Sequence, residues 1–241
     1  MKLTTNLHRV GNDIVASYLV ADDSGVTMID TGLAGQWDDL LAELDAMGRS
    51  LDDLRGVVLT HGDSDHIGMA ERLRRDHGVP IHVHEADAAR ARGTEKPPPV
   101  AWGRMRVGPV ARFLGYAMTH AGLKTTYPAE VTTVADGQAL DLPGGPRVIG
   151  APGHSPGSIA VHLPTVGAVC VGDALTTRHV LTGTTGPGPA PFTDDPALAL
   201  DSLDAIAATG AEWVLPGHGA PWHGDAADAV ARVRAAAAAA A

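Results

Sequence analysis

The chain has 241 residues, 44% of them hydrophobic and 19% charged, which suits one domain able to bury a sizeable core without staples. Its formal net charge is −10 and its only lysines are Lys2, Lys96 and Lys124, so it lacks the basic footprint of a nucleic-acid partner. Cys170 is the single cysteine, which excludes an intrachain disulfide framework and a thiolate-rich metal site. No apolar run reaches the length of a membrane span, and Met1 to Asn12 contains no apolar export segment, so a cytoplasmic protein without a membrane partner is expected.

The first 30 residues read as strands: residues 12–20 are rich in β-formers, and the run from Gly25 ends in Asp30-Thr31-Gly32. Trp37, Leu40, Leu41, Leu44 and Met47 share one helical face, and Gly48 follows as a stop. Gly56 to Thr60 is a short buried-type strand that delivers the chain into His61-Gly62-Asp63-Ser64-Asp65-His66. A helix is expected over 69–77, a strand over 80–84 and a further helix over 86–92.

Residues 93–130 break this rhythm. Pro97-Pro98-Pro99 is a stiff stop, and Val110, Phe113, Leu114, Ala117 and Met118 then fall at helical spacing. Trp102, Phe113, Tyr116 and Tyr127 gather here. Two readings stand side by side: a helical hairpin packed on the core, or a lid whose aromatic side chains form an apolar wall for substrate.

Strands are expected at 138–142, 147–151, 158–163 and 168–172, and the Gly/Pro-rich stretch 183–191 reads as a flexible loop. Asp195 is placed to cap a helix over 196–209 with Pro196 in its first turn. Trp213 to Leu215 is a last short strand before Pro216-Gly217-His218-Gly219, and an alanine-rich helical tail, expected to fray, closes the chain. Helices alternate with strands, yet many strands look hairpin-connected, so a mixed sheet is expected rather than a purely parallel one.

The chain holds 12 histidines, and several sit in one recurrent setting. Four polar clusters each follow a short apolar strand and place Gly beside His or Asp: His61 to His66, His154 in Pro-Gly-His-Ser, Asp173 in Val-Gly-Asp-Ala, and His218 in Pro-Gly-His-Gly. Taken singly, each is more often a turn residue than a ligand. Taken together, imidazoles and carboxylates at successive strand ends converge on one sheet edge and make a ligand set for zinc, iron or manganese.

In these motifs the sequence resembles the metallo-β-lactamase-fold superfamily, whose signature is H-x-H-x-D-H after a strand, then a separate His, a Gly-Asp step and a Gly-His step. The resemblance runs from Asp30-Thr31-Gly32 to Gly217-His218-Gly219. It implies an α/β, four-layer αββα sandwich of two mixed sheets flanked by helices, as a single domain over 1–241 with a helical lid insertion at 93–130. It also implies a two-metal site. Carried over by motif, His61 and His154 hold one metal, Asp65, His66 and His218 the other, and Asp173 bridges them. Zinc is the leading candidate. Asp30 is expected to order a ligand loop rather than to bind metal.

The chain departs from the signature at Asp63, where the family places its second His. Direct ligation, ligation through water, and a weakened site working with one metal are all open. Two divalent ions, a hydroxide, Asp65 and Asp173 leave one net positive charge, which an ionised Asp63 cancels. On that count the bound water is less acidified, and selectivity tilts toward iron or manganese.

The function expected is a metal-dependent hydrolase in which a metal-bound hydroxide attacks a small ester, lactone or thioester. Asp65 would be catalytic, orienting the nucleophile and shuttling a proton. Trp102, Phe113, Tyr116 and His179 are the expected substrate-binding residues. The rival readings are an iron-dependent oxidoreductase of the persulfide dioxygenase type, a β-lactamase, and a non-catalytic protein on a decayed site. A small-molecule substrate is the expected partner, with the oligomeric state left open.

Overall fold

A computed structural model describes residues 1–99 and 103–240. The first half builds β1 (Leu7–Gly11), β2 (Ala16–Asp22), β3 (Gly25–Ile29), α1 (Trp37–Ala46), β4 (Leu54–Val58), α2 (Ala70–His77), β5 (Ile81–His84), the short α3 (Ala88–Ala91), α4 (Val107–Thr119) and β6 (Thr132–Val134). The second half builds β7 (Arg147–Gly150), β8 (Ile159–Leu163), β9 (Ala168–Gly172), β10 (Thr176–Arg178), β11 (Thr185–Gly188), α5 (Pro196–Ala207), β12 (Trp213–Pro216), β13 (Trp222–His223) and α6 (Ala226–Ala240).

The strands form two larger sheets. One runs β1-β2-β3-β4-β5-β6, antiparallel across its first three strands and parallel from β3 onward. The other runs β13-β12-β9-β8-β7, with β12 and β9 parallel and the remaining pairs antiparallel. Strand periodicity explains how they stack, because successive side chains leave opposite faces. In β4 and its continuation, Val57 and Leu59 pack with Leu40, Leu44 and Leu73 of α1 and α2, whereas Val58 faces the other sheet. In β9, Cys170 joins that inter-sheet layer, whereas Val169 and Val171 pack with Leu203, Ile206, Val230 and Val233 of α5 and α6. Helices therefore cover the outer face of each mixed sheet, giving the expected αββα sandwich. The inter-sheet layer buries Leu7, Tyr18, Val20, Ile29, Ile159, Val161 and Leu215.

Local differences from the sequence expectations have physical causes. The segment at 138–142 contributes only an isolated bridge, Ala139 to Arg147, and the edge strand beside β5 is β6 instead. Gly144 and Gly145 both take positive φ and turn the chain too sharply for a strand to extend. The stretch expected as a flexible loop pairs β10 with β11 as an antiparallel hairpin. The alanine-rich tail stays helical through Ala240, because Ala226, Ala229, Val230 and Val233 bury one face on the second sheet. Asp195 caps α5 as expected, accepting from the Leu198 amide at 3.0 Å.

Within 93–130 the described residues carry one helix, α4, rather than a hairpin of two. Phe113 and Tyr116 pack against a small cluster of Ile14, Val15 and Leu33. The segment is also pinned by Arg106 N to Leu181 O at 2.9 Å and Gly35 N to His120 O at 3.0 Å. Among the described residues no helix is long and apolar enough to cross a membrane.

Candidate metal centre

The four motif clusters all leave the C-terminal ends of strands. His61 to His66 follow β4, His154 follows β7, Asp173 follows β9 and His218 follows β12. Since β9 and β12 run parallel and lie in the sheet packed on β4, these ends open on one edge of the sandwich. Glycine is required where the loops meet: a Cβ on Gly217 would lie 2.4 Å from His66 Cε1 and 2.9 Å from Asp173 Oδ1.

The seven expected ligands come together there. His154 Nε2 and His61 Nε2 lie 3.3 Å and 3.6 Å from Asp63 Oδ2. His218 Nε2 lies 3.3 Å from both Asp65 Oδ2 and Asp173 Oδ2. Asp173 also faces His66 Nε2 through Oδ1 at 3.6 Å and His154 Nε2 through Oδ2 at 3.8 Å. Three sets of ligand atoms each lie within 4.8 Å of one another: His61 with Asp63 and His154, Asp65 with His66 and His218, and His61 with His66 and Asp173. The first two sets are the two halves of the site, and Asp173 stands between them.

The donor set fits a metal. His61 Nε2, His66 Nε2 and Asp173 Oδ1 are buried and have no hydrogen-bond partner among the described residues, a costly arrangement unless a cation receives their lone pairs. The opposite ring nitrogens are satisfied. His66 Nδ1 bonds Asp30 Oδ2 at 2.9 Å, His61 Nδ1 meets Thr60 Oγ1 at 3.0 Å, and His154 Nδ1 meets Thr193 Oγ1 at 3.3 Å. His218 Nδ1 bonds the Ile14 carbonyl. This second layer fixes each ring so that Nε2 points inward. Asp30 anchors it, since Oδ1 also accepts from the Thr60 amide at 2.7 Å, and its own backbone sits at φ 57, which Asp tolerates better than most residues.

The ligands also set one another's protonation. Burial opposes ionisation of Asp65, yet His218 and His66 hold it down to about 2. Burial likewise opposes charge on Asp63 and Asp173, yet His154 and Arg90 hold Asp63, and His218, His66 and His154 hold Asp173, well below the usual carboxylate range. Burial disfavours a charged His66, but Asp30, Asp65 and Asp173 outweigh it and push the ring up to about 9. Burial and the adjacent His66 and His154 push His61 down. Ionised carboxylates and a neutral His61 are the forms that bind metal, whereas a metal at His66 would displace the proton that the carboxylates hold there.

A residue without a motif signal completes the site. Arg90 of α3 donates from Nε to Asp63 Oδ1 at 2.5 Å and from Nη1 to Asp194 Oδ2 at 2.8 Å, and it is only 6% exposed. The sequence-based charge count left out this cation and also Asp194, which shares it, so Arg90 is divided between two carboxylates of which Asp63 is one. Asp87 was missed as well. Its carboxylate accepts from Gly62 N, Ser155 Oγ and Gly157 N at 2.7–2.8 Å and so ties the His61 loop to the His154 loop.

A cavity of about 550 Å³ adjoins the centre, lined by Asp63, Asp65 and Arg90 on one side and by Phe113, Tyr116, Leu123 and Tyr127 on the other. Tyr116 Oη accepts from Gln36 Nε2 at 3.1 Å, and its ring stacks on His120 at 3.9 Å. Trp102 lies outside the described residues. His179 is not among the residues that line this cavity. Its backbone closes the turn of the β10–β11 hairpin, with His179 N to Thr184 O at 2.9 Å and Gly183 N to His179 O at 2.8 Å.

Relatives share this architecture. A "Probable metallo-hydrolase YflN" of Bacillus subtilis is 29% identical over 180 residues, covering 71% of this chain and 66% of that protein. The match thus spans just under two thirds of the relative's length. The metallo-beta-lactamase family protein TTHA1429 of Thermus thermophilus superposes with a TM-score of 0.72 at 25% identity, over 99% of this chain and 81% of that one. TTHA1623, crystallised in a di-iron-bound form, superposes with a TM-score of 0.61 at 25% identity, over 90% of this chain and 93% of that one. The family model described as "Metallo-beta-lactamase superfamily" matches residues 10–218, from the strand that begins the sandwich to the last histidine of the site, and the chain belongs to that superfamily.

Proposed function

We propose that the protein is a metal-dependent hydrolase of small esters, lactones or thioesters. The observation that carries this reading is the set of inward-facing, unpartnered ligand atoms of His61, His66 and Asp173, at the end of a largely apolar cavity that Asp65 also lines. His61, Asp63 and His154 would hold one divalent ion, Asp65, His66 and His218 a second, and Asp173 would serve both. Bound there, the ions would acidify water and polarise a carbonyl.

The chain's own residues do the rest. Asp65, 3.3 Å from His218 and kept ionised, orients the attacking water, accepts its proton at Oδ and returns it to the leaving oxygen or sulfur. Phe113, Tyr116, Leu123 and Tyr127 exclude water and seat the acyl chain or ring, so the segment 93–130 acts as the lid. Zinc is the leading metal. The Asp63 carboxylate and the likeness to a protein crystallised with two irons favour, as a second reading, an iron enzyme acting on persulfides.

The test is metal analysis of protein purified without added metal, followed by assays on aryl esters, lactones, acyl thioesters and a β-lactam, with oxygen uptake on a persulfide in parallel. Ester, lactone or thioester hydrolysis that chelation abolishes and metal restores is expected. Oxygen uptake without any hydrolysis would replace the hydrolase by the oxidoreductase.

A further inference from the structure

Asp63 reaches inward with one oxygen only. Oδ2 faces His154 Nε2 and His61 Nε2 at 3.3 Å and 3.6 Å, while Oδ1 is held by Arg90 Nε at 2.5 Å. The second arm of Arg90 reaches Asp194, whose backbone amide donates to the His154 carbonyl at 3.1 Å and whose neighbour Thr193 contacts His154 Nδ1. One buried guanidinium therefore organises two ligands of the same half of the centre. The loop is shaped for this contact: a Cβ on Gly62 would lie 2.6 Å from the Ala91 amide and 3.0 Å from Arg90 Cβ, so only glycine lets the ligand loop lie against α3.

Resting on the reading of this cluster as a metal centre, we propose that Asp63 and Arg90 act as one unit in place of a histidine. Asp63 supplies a single ligand oxygen, and Arg90, a positioning residue shared with Asp194, holds that pose and offsets part of its charge. A histidine would give one neutral nitrogen donor; the pair gives one oxygen donor whose charge is partly offset by a guanidinium that Asp194 shares. In the other half the carboxylate, Asp65, faces His218 at 3.3 Å, and His66 and His218 donate their outer bonds to Asp30 and the Ile14 carbonyl.

A double-mutant cycle tests this, with metal affinity and stoichiometry measured by chelator competition using zinc and manganese. Arg90→Gln in the wild-type background should weaken one of two metals about 10–100-fold, the usual cost of losing a residue that orients a ligand. Arg90→Lys, which keeps the charge and loses the fork, should lose less. In the Asp63→His background the sign should reverse. Arg90 then faces a neutral ring beside a cation, and adding Arg90→Gln should leave affinity unchanged or raise it. Circular dichroism and thermal melts of each variant separate loss of fold from loss of metal. An equal loss from Arg90→Gln in both backgrounds would assign Arg90 a merely structural role and overturn the inference, as would full affinity of Arg90→Gln in the wild-type background. Wild-type protein that binds neither metal would overturn the metal-centre reading first, and the inference with it.

Discussion

The floor and the cover of the cavity are built on opposite principles. The floor consists of strand-end loops whose ligands are almost all buried: His61, His66, His154 and His218 are at most 3% exposed, and each has its outer ring nitrogen bonded. The cover, α4, has no buried residue at all, and Val107 and Met118 on it are 88% and 66% exposed. A floor that rigid fixes reacting atoms within a narrow geometry, as chemistry demands. A cover held by a few contacts can change its side chains at little cost to the fold, as substrate choice demands. On the function proposed above, catalysis and specificity would reside in separate layers, which point changes can address one at a time.

The strongest way to break that division is at Asp173, shared by both halves of the floor. Asp173→Asn should lower hydrolysis on the order of a thousandfold for every substrate and reduce bound metal, read by kcat/KM and metal analysis. If the loss were confined to some substrates, the floor would also be setting specificity.

Next in size is Asp30, which does not line the cavity described above and whose carboxylate bonds His66 and Thr60. Asp30→Asn preserves the left-handed backbone but offers a single acceptor oxygen where the carboxylate offers two. Metal affinity should fall about 10–100-fold, measured by chelator titration, with relative activity among substrates unchanged.

Changes in the cover should do the opposite. Phe113→Ala and Tyr116→Ala should shift the ratio of kcat/KM between long-chain and short-chain substrates by about tenfold, with metal stoichiometry intact. Unchanged ratios for both variants would remove the lid reading.

The smallest effect sharpens the comparison as a control remote from both layers. Burial opposes ionisation of Glu43, but bonds from the N-terminal amine and His8 pull it below its usual range. A carboxylate depressed in the folded state stabilises the protein above its unfolded pKa of about 4.3, and that stability is lost as pH falls through the folded value. Glu43→Gln should therefore lower Tm by a few degrees near pH 7, with the gap closing below about pH 4, and should leave metal affinity and substrate ratios untouched. Thermal melts across pH check it.

Much of the floor was legible in the sequence because its grammar is local. A short apolar run followed by Gly beside His or Asp is a strand delivering a ligand to a sheet edge, and the repetition of that phrase marked His61, His154, Asp173 and His218. The αββα layering was legible for the same reason, through helical and strand periodicity and the likeness of the whole motif set. The hairpin over 176–188 was not, since its Gly and Pro residues read as loop and its pairing is set by neighbours rather than by side-chain alternation.

Arg90 marks the limit most clearly. It sits in an Ala-Ala-Arg-Ala stretch with no motif, and 27 residues separate it from Asp63 and 104 from Asp194. The sequence by itself determined which atoms can bind metal, because ligand chemistry belongs to residue type and strand-end placement is a local pattern. Only the tertiary structure decided what Asp63 is worth there. The charge of a buried carboxylate depends on what lies within a few ångströms of it, and packing, not sequence distance, brought Arg90 to that place.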